Sequence, residues 1–312
     1  MEPQPEDYNF ELDRIFDAVV GVTATIPEDA MTSDVLGTER SGNGVLIGDG
    51  LILTIGYLIT EAETVWLNLA DGTTVQGHVL GYDQETGFGV IQPLARLTQT
   101  GLSFGDSDAV EVGDSVVVAG HGGRDRSIAA TVVAKQEFAG YWEYVLDEAI
   151  FTAPAHPHWG GTAVVNTSGQ LVGIGSLQVQ HAEVDGDSVD LNMVVPINIL
   201  KPIFADLKTI GRPSHPARPW IGVYAADVGD NIVVAGIAPG GPADDTDLSI
   251  GDIILTVAGD EISELGQFFR TIWALGEAGV AVPLQVHREG RLIDVVVKSV
   301  DRRALLKGPI IH

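Results

Sequence analysis

Residues 156–174 read HPHWGGTAVVNTSGQLVGI, and the second half of this stretch contains a pattern that recurs along the chain. A short apolar run, Ala163–Val165, is followed by the turn-forming segment 166–169 (NTSG) and then by a second apolar run, Leu171–Leu177. Two apolar runs separated by Asn, Ser and Gly predict a β-hairpin, because these residues adopt the backbone conformations that tight turns need. The stretch therefore predicts paired antiparallel strands.

The same layout recurs between residues 20 and 205. Thr64–Ala70 and Thr73–Leu80 flank Asp71-Gly72, which is a strong two-residue hairpin signal. Further predicted strands are Gly44–Ile47, Leu51–Thr54, Phe88–Ile91, Ser115–Ala119 and Thr131–Ala134. Short strands at this spacing, with few helical stretches, predict a mostly β protein. Two small barrels that divide near Gly101–Val112 fit this length better than one.

The last third of the chain has a different composition. Three prolines in Gly211–Pro219 predict a linker, because proline neither continues a helix nor donates to a β-ladder. Ile199–Leu207 before it reads as a short helix. Ser263–Leu275 is the clearest helix, with Ser263 as its predicted N-cap. Predicted strands surround it at Ile232–Ile237, Asp252–Val257, Val282–His287 and Ile293–Ser299, which is the outline of a small α+β binding domain.

Composition narrows the function further. The chain of 312 residues is 45% apolar and 19% charged, which predicts a folded protein, and its net charge of −26 disfavours nucleic acid and anionic membrane surfaces as partners. No apolar run reaches the ~18 residues of a spanning helix. Without cysteine there is no disulfide or thiol chemistry. The acidic start is unlike a signal peptide, so we expect a cytoplasmic protein.

Five segments resemble the HtrA/Deg-type trypsin-like serine proteases. SGNGVLIGDGLILTIGYLI at 41–59 is similar to their GSGVII-DGYILTNNHVV, and GYDQETGFGVI at 81–91 to G-x-D-x-x-T-D-(I/L)-A-V-L. SFGDSDAVEVGDSVVVAG at 103–120 resembles LGDSD-x-L-x-VGD-x-V-x-AIG, and residues 156–174 resemble NPGNSGGALVN-x-x-G-x-VVGI. Residues 220–300 resemble the PDZ domain that follows such proteases. The resemblance implies a trypsin-like double β-barrel followed by a PDZ domain (α+β).

The resemblance also implies a domain plan. It comprises an N-terminal segment (1–19), the double-barrel domain (20–207), a linker (208–219), the PDZ domain (220–303) and a C-terminal tail (304–312). The N-terminal segment resembles the region through which many such proteases form trimers, so a homotrimer is one expectation. An amphipathic segment that packs on its own barrel is the alternative.

The catalytic positions of the family are altered in this chain. Acyl transfer by these proteases uses a serine nucleophile, a histidine base and an aspartate that orients the histidine. The motifs place the histidine at Tyr57, the aspartate at Gly87 and the serine at Gly160. The glycine whose N–H helps to form the oxyanion hole falls on His158, and Trp159 precedes the nucleophile position. The resemblance, read at these positions, predicts a pseudoprotease.

Two alternatives remain open at this stage. One is an active endopeptidase with displaced catalytic groups, for which Thr152 and Thr162 are the only hydroxyls near the nucleophile loop. The other is a metal-dependent function through the H-x-H pair His156 and His158, since imidazole is a common metal ligand. No carboxylate cluster accompanies these histidines in sequence, so we expect no metal and no cofactor.

The PDZ-like segment keeps the parts that bind peptides in that domain. Such domains add an extended peptide beside an edge strand and hold its terminal carboxylate on backbone N–H groups. The resemblance places that loop and strand at Trp220, Ile221, Gly222 and Val223, with Phe269 and Ile272 of the long helix as groove-lining residues. Assignment of both helix residues to the domain core is the alternative. The expected partners are peptides or protein C-termini, in a scaffold, adaptor or chaperone-like role in protein quality control.

Overall fold

The computed structural model describes residues 2–182 and 188–308 and divides the chain into two compact units. The first unit comprises the residues up to Gln136 together with Glu148–Ser214, and the second comprises Glu137–Asp147 and His215–Lys307. Glu137–Asp147, which falls within the predicted 20–207 domain, thus belongs to the second unit. The predicted tail, 304–312, lies outside the described residues beyond Gly308.

The first unit begins with a closed antiparallel barrel. Its strands are β1 (Val19–Thr25), β2 (Glu39–Leu46), β3 (Ile52–Ile55), β4 (Thr64–Asn68), β5 (Thr74–Tyr82) and β6 (Phe88–Pro93), in the order β1-β2-β3-β6-β5-β4. Val, Ile and Leu side chains of these strands are buried, among them Val22, Val45, Leu53, Leu67 and Ile91. Helix α1 (Leu12–Asp17) precedes it, and its side chains Leu12, Ile15 and Phe16 are buried. Helix α2 (Ser33–Leu36) lies between β1 and β2.

A second closed barrel follows after a connection of about twenty residues without a named strand. Its strands are β7 (Ser115–Ala119), β8 (Ser127–Gly140), β9 (Tyr144–Ala153), β10 (Ala163–Val165), β11 (Leu171–Ala182) and β12 (Ser188–Pro196), in the order β10-β11-β12-β9-β8-β7. The two barrels confirm the mostly β, trypsin-like fold class. The helix predicted at Ile199–Leu207 is instead a 3₁₀ turn at Ile197–Ile199 and helix α3 at Phe204–Ile210, since Leu200–Ile203 continues in turns.

The second unit is an antiparallel sheet covered by one helix. The strands are β13 (Val223–Val228), β14 (Asn231–Ile237), β15 (Ile253–Val257), β16 (Asp260–Glu261), β17 (Ala281–Arg288) and β18 (Arg291–Lys298), and helix α4 spans Leu265–Ala274. The order β13-β14-β15-β17-β18 places β13 at an edge. The predicted N-cap at Ser263 is wrong, because the cap position is Glu264; Gln267 reaches back and its Oε1 accepts from the Ser263 N–H instead.

None of the helices in residues 2–182 and 188–308 has the length and apolar character needed to cross a membrane.

Candidate active-site cleft and peptide groove

An open cleft of about 680 Å³ lies in the first unit, where the catalytic motifs of the sequence analysis meet. Its walls come from the middle of β2, the turn after β3, the loop after β7 and the loop before β10. The lining residues are Ser41, Gly42, Asn43, Tyr57, Leu58, Gly120, His121, Gly122, Arg126, His156, Pro157, His158, Trp159 and Gly160. The fold therefore brings together Tyr57, Gly160 and the histidines of the H-x-H pair.

Tyr57 lies in the 3₁₀ turn that follows β3. Its hydroxyl donates to the Ser176 carbonyl oxygen at 2.8 Å, and burial raises the pKa of the phenol above its ordinary value. The buried guanidinium of Arg40 fixes the turn by donating from Nη1 to the carbonyl oxygens of Tyr57 and Thr60, at 2.7 and 3.0 Å. A neutral phenol with this pKa does not remove a proton from a nucleophile near pH 7.

Gly160 lies directly against the Tyr57 hydroxyl. A Cβ atom at position 160 would be 2.6 Å from the Tyr57 Oη, which is closer than side-chain carbon atoms approach oxygen. The Gly160 carbonyl oxygen accepts from both the backbone N–H and the side-chain amide of Asn43, at 2.8 and 3.0 Å. The loop is thus fitted to a glycine at 160 and a tyrosine at 57.

Gly87 has a backbone that favours glycine. Its φ is 84°, in the left-handed region, and its carbonyl oxygen accepts from the Gly56 N–H. Asp83, four residues earlier, uses Oδ2 to accept from the Thr86 N–H and hydroxyl at 2.9 and 2.8 Å. This carboxylate therefore caps its own turn. Position 87 therefore offers no carboxylate that could orient a histidine.

The oxyanion-hole position is also occupied. The His158 N–H donates to Nδ1 of His156 at 3.0 Å, and burial lowers the pKa of His156, which favours the neutral imidazole. Nε2 of His156 is 2.8 Å from the Arg126 carbonyl oxygen. Because an oxyanion hole needs backbone N–H groups directed at the substrate, the N–H of His158 is lost to that role in this arrangement.

The alternative nucleophiles, Thr162 and Thr152, and the two histidines of the H-x-H pair are hydrogen-bonded within the protein or buried in it. Thr162 is fully buried and its hydroxyl donates to the Trp159 carbonyl oxygen at 2.9 Å, while Thr152 is buried below the loop. Both ring nitrogens of His156 have partners, and Nε2 of His158 is 3.1 Å from Nη1 of Arg126. Within the described part of the chain, no group of three or more His, Asp or Glu residues is arranged to hold a metal ion.

The predicted peptide-binding loop lies in the second unit, before β13. The carbonyl oxygens of Trp220, Ile221 and Gly222 accept from the backbone N–H groups of Val300, Ala243 and Ala238 at 2.8–2.9 Å. Gly222 has φ of 75°, which a glycine adopts without strain. Val223 begins β13. The Trp220 N–H is also used inside the domain, because it donates to the Val300 carbonyl oxygen at 3.1 Å.

Phe269 and Ile272 on α4 are fully buried in the core of the second unit. The same cluster contains Ile221 and Val223 of the loop and Val145 of the Glu137–Asp147 segment. The fold therefore brings the predicted groove residues to one place. Neither helix residue has exposed surface, in keeping with the alternative that assigned them to the core.

Comparisons with known proteins agree with this architecture. Residues 42–174 match a trypsin-like peptidase domain and residues 219–299 match a PDZ domain. The serine protease Do-like HtrA of Bacillus subtilis is 24% identical over 83% of this chain and 63% of its own length, and that of Lactobacillus helveticus is 26% identical over 84% and 69%. The chain is a homologue of the HtrA-type serine proteases.

Solved structures show the same fold for this HtrA homologue. The HtrA-type protease AlgW, solved with a decapeptide, has a TM-score of 0.54 and 20% identity over 96% of this chain and 98% of its own. A serine endoprotease from Yersinia pestis has a TM-score of 0.52 and 21% identity, over 92% and 95%. The chain spans about two thirds of the length of the Bacillus and Lactobacillus relatives.

The sequence analysis did not single out one set of residues in this HtrA homologue. Within the second unit Trp273 donates to Glu143 and Arg270 donates to Glu137, although these partners are 130 and 133 positions apart in sequence. The signal that could have drawn attention to this region is the run Tyr141-Trp142-Glu143-Tyr144, where three large aromatic residues surround an acid at a hairpin turn. Turns of this kind usually carry small polar residues.

Proposed function

We propose that this HtrA homologue is a pseudoprotease that binds peptides or protein C-termini through its PDZ domain and acts as a scaffold, adaptor or chaperone-like protein. The proposal is supported by the replacement of all three triad positions, and by the retained loop and edge strand of the PDZ domain. AlgW, which shares the fold, has been solved with a decapeptide.

One observation carries the catalytic part of the proposal. The Tyr57 hydroxyl lies only 2.6 Å from the point where a side chain at position 160 would begin, and it is held there by its hydrogen bond to the Ser176 carbonyl. A serine nucleophile and this tyrosine exclude each other in the present backbone. The residues at the two aligned positions, Tyr57 and Gly160, therefore fit each other, which argues against a simple displacement of one group.

The test is incubation of the purified full chain with a fluorophosphonate probe and with fluorescently labelled casein. We expect neither covalent labelling nor cleavage above the level of a heat-unfolded sample. An HtrA protease with an intact triad serves as the positive control. Labelling of any residue of this chain, located by mass spectrometry, would overturn the proposal.

An active endopeptidase with displaced catalytic groups is the second candidate, because the relatives are named as serine proteases. Its nucleophile would have to be Thr162 or Thr152. Labelling that disappears in Thr162→Val or in Thr152→Val would support it. Trimer formation stays a prediction; the burial of Leu12, Ile15 and Phe16 supports packing of the N-terminal segment within the chain.

A further inference from the structure

The segment Glu137–Asp147, called the hairpin tip here, joins β8 to β9 and belongs to the second unit. Its contacts within that unit converge on the predicted peptide-binding loop, on the edge strand β13 and on helix α4. These are the three elements between which a PDZ domain holds an extended peptide. The hairpin tip therefore lies where a peptide ligand is expected.

The first contact is a backbone hydrogen bond to the edge strand. The Ala225 N–H on β13 donates to the Tyr141 carbonyl oxygen at 3.0 Å. The rings of Tyr141 and Tyr224 meet edge to face, with their centroids 6.1 Å apart. A peptide added beside β13 would need the same N–H group, because main-chain hydrogen bonds to an edge strand give such ligands their affinity.

The second contact places the carboxyl group of Glu143 at the predicted carboxylate-binding loop. Oε1 of Glu143 accepts from the Trp273 indole N–H at 3.2 Å, and the backbone N–H of Ile221 faces the same carboxylate. Oε2 is buried and has no hydrogen-bond partner among the described residues. Arg218, which lies 4.2 Å over the Trp273 ring, and Arg302 supply positive charge nearby.

The third set of contacts fixes the tip on α4. Arg270 holds both ends of the tip, with Nη1 at 2.7 Å from the Glu137 carboxylate and Nη2 at 2.5 Å from that of Asp147. A Cβ atom at Gly266 would overlap Oε1 of Glu137, so the helix leaves room for this acid. Val145, which lies between Glu137 and Asp147 in sequence, is buried in the core of the second unit.

We propose that the hairpin tip is an internal ligand of the PDZ groove, with the Glu143 side-chain carboxyl group in the place of a peptide's terminal carboxylate. An external peptide binds only when the tip has left. The inference rests on the proposed use of the groove for peptides, but occupancy by the tip can be measured without any peptide. A competing ligand must offer an extended backbone for β13 and a terminal carboxylate for the Ile221 loop.

The backbone of Glu143 is consistent with a segment held by its contacts. Its φ is 66°, in the left-handed region that residues with a Cβ atom rarely adopt. Such a conformation persists only where the surroundings fix it. Loss of the Trp273, Ile221 and Arg270 contacts would remove that support, so the tip is expected to leave the groove as a whole.

The test compares the full-length wild type with Glu143→Lys, which places a cation near Arg218 and Arg302 and so expels the tip without changing the groove. Glu289→Lys is the matched control, because Glu289 also has a positive φ, of 49°, and lies in an exposed turn of the same unit. Arg270→Ala, which removes the ion pairs, is a second variant with the same expected direction. Melting curves check that each variant is folded.

The first measurement is hydrogen exchange at the Ala225 amide. We expect protection in the wild type and in Glu289→Lys, and exchange at least about tenfold faster in Glu143→Lys and Arg270→Ala. A tenfold change corresponds to a tip that is docked in about nine molecules of ten. Equal exchange in the wild type and in both tip variants would show that the tip does not cover β13, and would overturn the inference.

The second measurement is selection from a library of random C-terminal decapeptides, with the dissociation constant of the most enriched peptide measured for each variant. We expect binding to Glu143→Lys at least about tenfold tighter than to the wild type, because only the undocked fraction of the wild type competes. Equal affinities would refute displacement of the tip by peptide. Faster Ala225 exchange without any enriched peptide would leave the tip as the groove's occupant and remove the proposed peptide-binding function.

Docking of the tip should depend on pH. Burial raises the pKa of Glu143 to about 8, while the Trp273 and Ile221 N–H groups and the charges of Arg302 and Arg218 oppose the rise. The docked carboxyl therefore keeps a proton that the undocked one releases near pH 4.5. Docking is strongest below that pH and weakens as the pH rises to about 8.

The measurement is the ratio of Ala225 exchange rates in the wild type and in Glu143→Lys, taken at each pH so that the intrinsic rate cancels. We expect the two rates to approach each other between pH 5 and about 8. Glu143→Gln, which cannot ionise, should stay docked with a constant ratio. A ratio that varies equally in Glu143→Gln would contradict this role of the carboxyl.

Discussion

Gly160→Ser, in an otherwise unchanged chain, is expected to give no hydrolysis and to lower the free energy of unfolding by about 2 kcal/mol. The new Cβ would be 2.6 Å from the Tyr57 Oη, and the buried ring can move only by giving up its hydrogen bond to the Ser176 carbonyl. Forcing extra atoms into a packed site typically costs about 1–3 kcal/mol. Urea unfolding and fluorophosphonate labelling measure the two effects.

Tyr57→Phe separates the steric clash from other effects of the serine. It removes the clashing oxygen and costs about 1 kcal/mol for the lost hydrogen bond. In the Tyr57→Phe background, Gly160→Ser should then cost less, with a coupling energy of about 1 kcal/mol or more. Gly48→Ser is the matched control, because a Cβ there meets no atom within 4 Å, and it should be near neutral. Additive costs would mean that Tyr57 and position 160 do not exclude each other.

The backbone at the positions that the resemblance aligns with the triad and the oxyanion hole also bears on the proposed inactivity. Position 87 has a left-handed φ of 84°, which strains an aspartate, and the N–H of His158 is turned to His156. Replacing three side chains would therefore not rebuild the charge arrangement that acyl transfer needs. The triad residues and the oxyanion hole act as one unit, so partial restoration is expected to yield little rate.

The barrels could be predicted from the sequence because their hairpins are determined by local turn residues. Asp71-Gly72 and Asn166–Gly169 each separate two apolar runs, and the strands β4, β5, β10 and β11 lie where those runs are. The positions of Tyr57 and Gly160 in one cleft followed from the family motifs. Their direct contact did not, because it depends on the path of two loops that are 103 positions apart.

The hairpin tip could not be predicted from local sequence. The aromatic turn at Tyr141–Tyr144 is unusual, but nothing in residues 137–147 identifies a binding partner. The contacts that place them in the second unit join positions 123 to 133 apart, such as Arg270 with Asp147 and Glu137. The resemblance assigned the helix residues Phe269 and Ile272 to the groove. Their burial could not be predicted in this way, because it depends on packing with residues that are distant in sequence, such as Val145.

Asp252→Ala should destabilise the second unit by about 3 kcal/mol. Asp252 is fully buried at the start of β15, where its carboxylate accepts from Nε and Nη2 of Arg288 at 2.6 and 2.7 Å and from the Ser249 N–H at 2.9 Å. Breaking a buried ion pair costs about 3–5 kcal/mol, and the low end applies because Arg288 keeps some contact with water. Hydrogen exchange at the β15 amides measures the loss of stability of the second unit.

Asp247→Ala shows how much of the stability cost of Asp252→Ala comes from the burial of Asp252. Asp247 pairs with the same arginine at 3.6 Å but is mostly exposed, so its removal should cost less than about 1 kcal/mol.

Burial opposes ionisation of Asp252, but the Arg288 and Ser249 hydrogen bonds prevail and hold its pKa below the ordinary value. The stability that Asp252 contributes is thus complete above about pH 4 and is lost as the pH falls through the lowered pKa. The difference in the free energy of unfolding between the wild type and Asp252→Ala should therefore become smaller only in acid. A difference that becomes smaller as the pH approaches 8 would contradict this assignment.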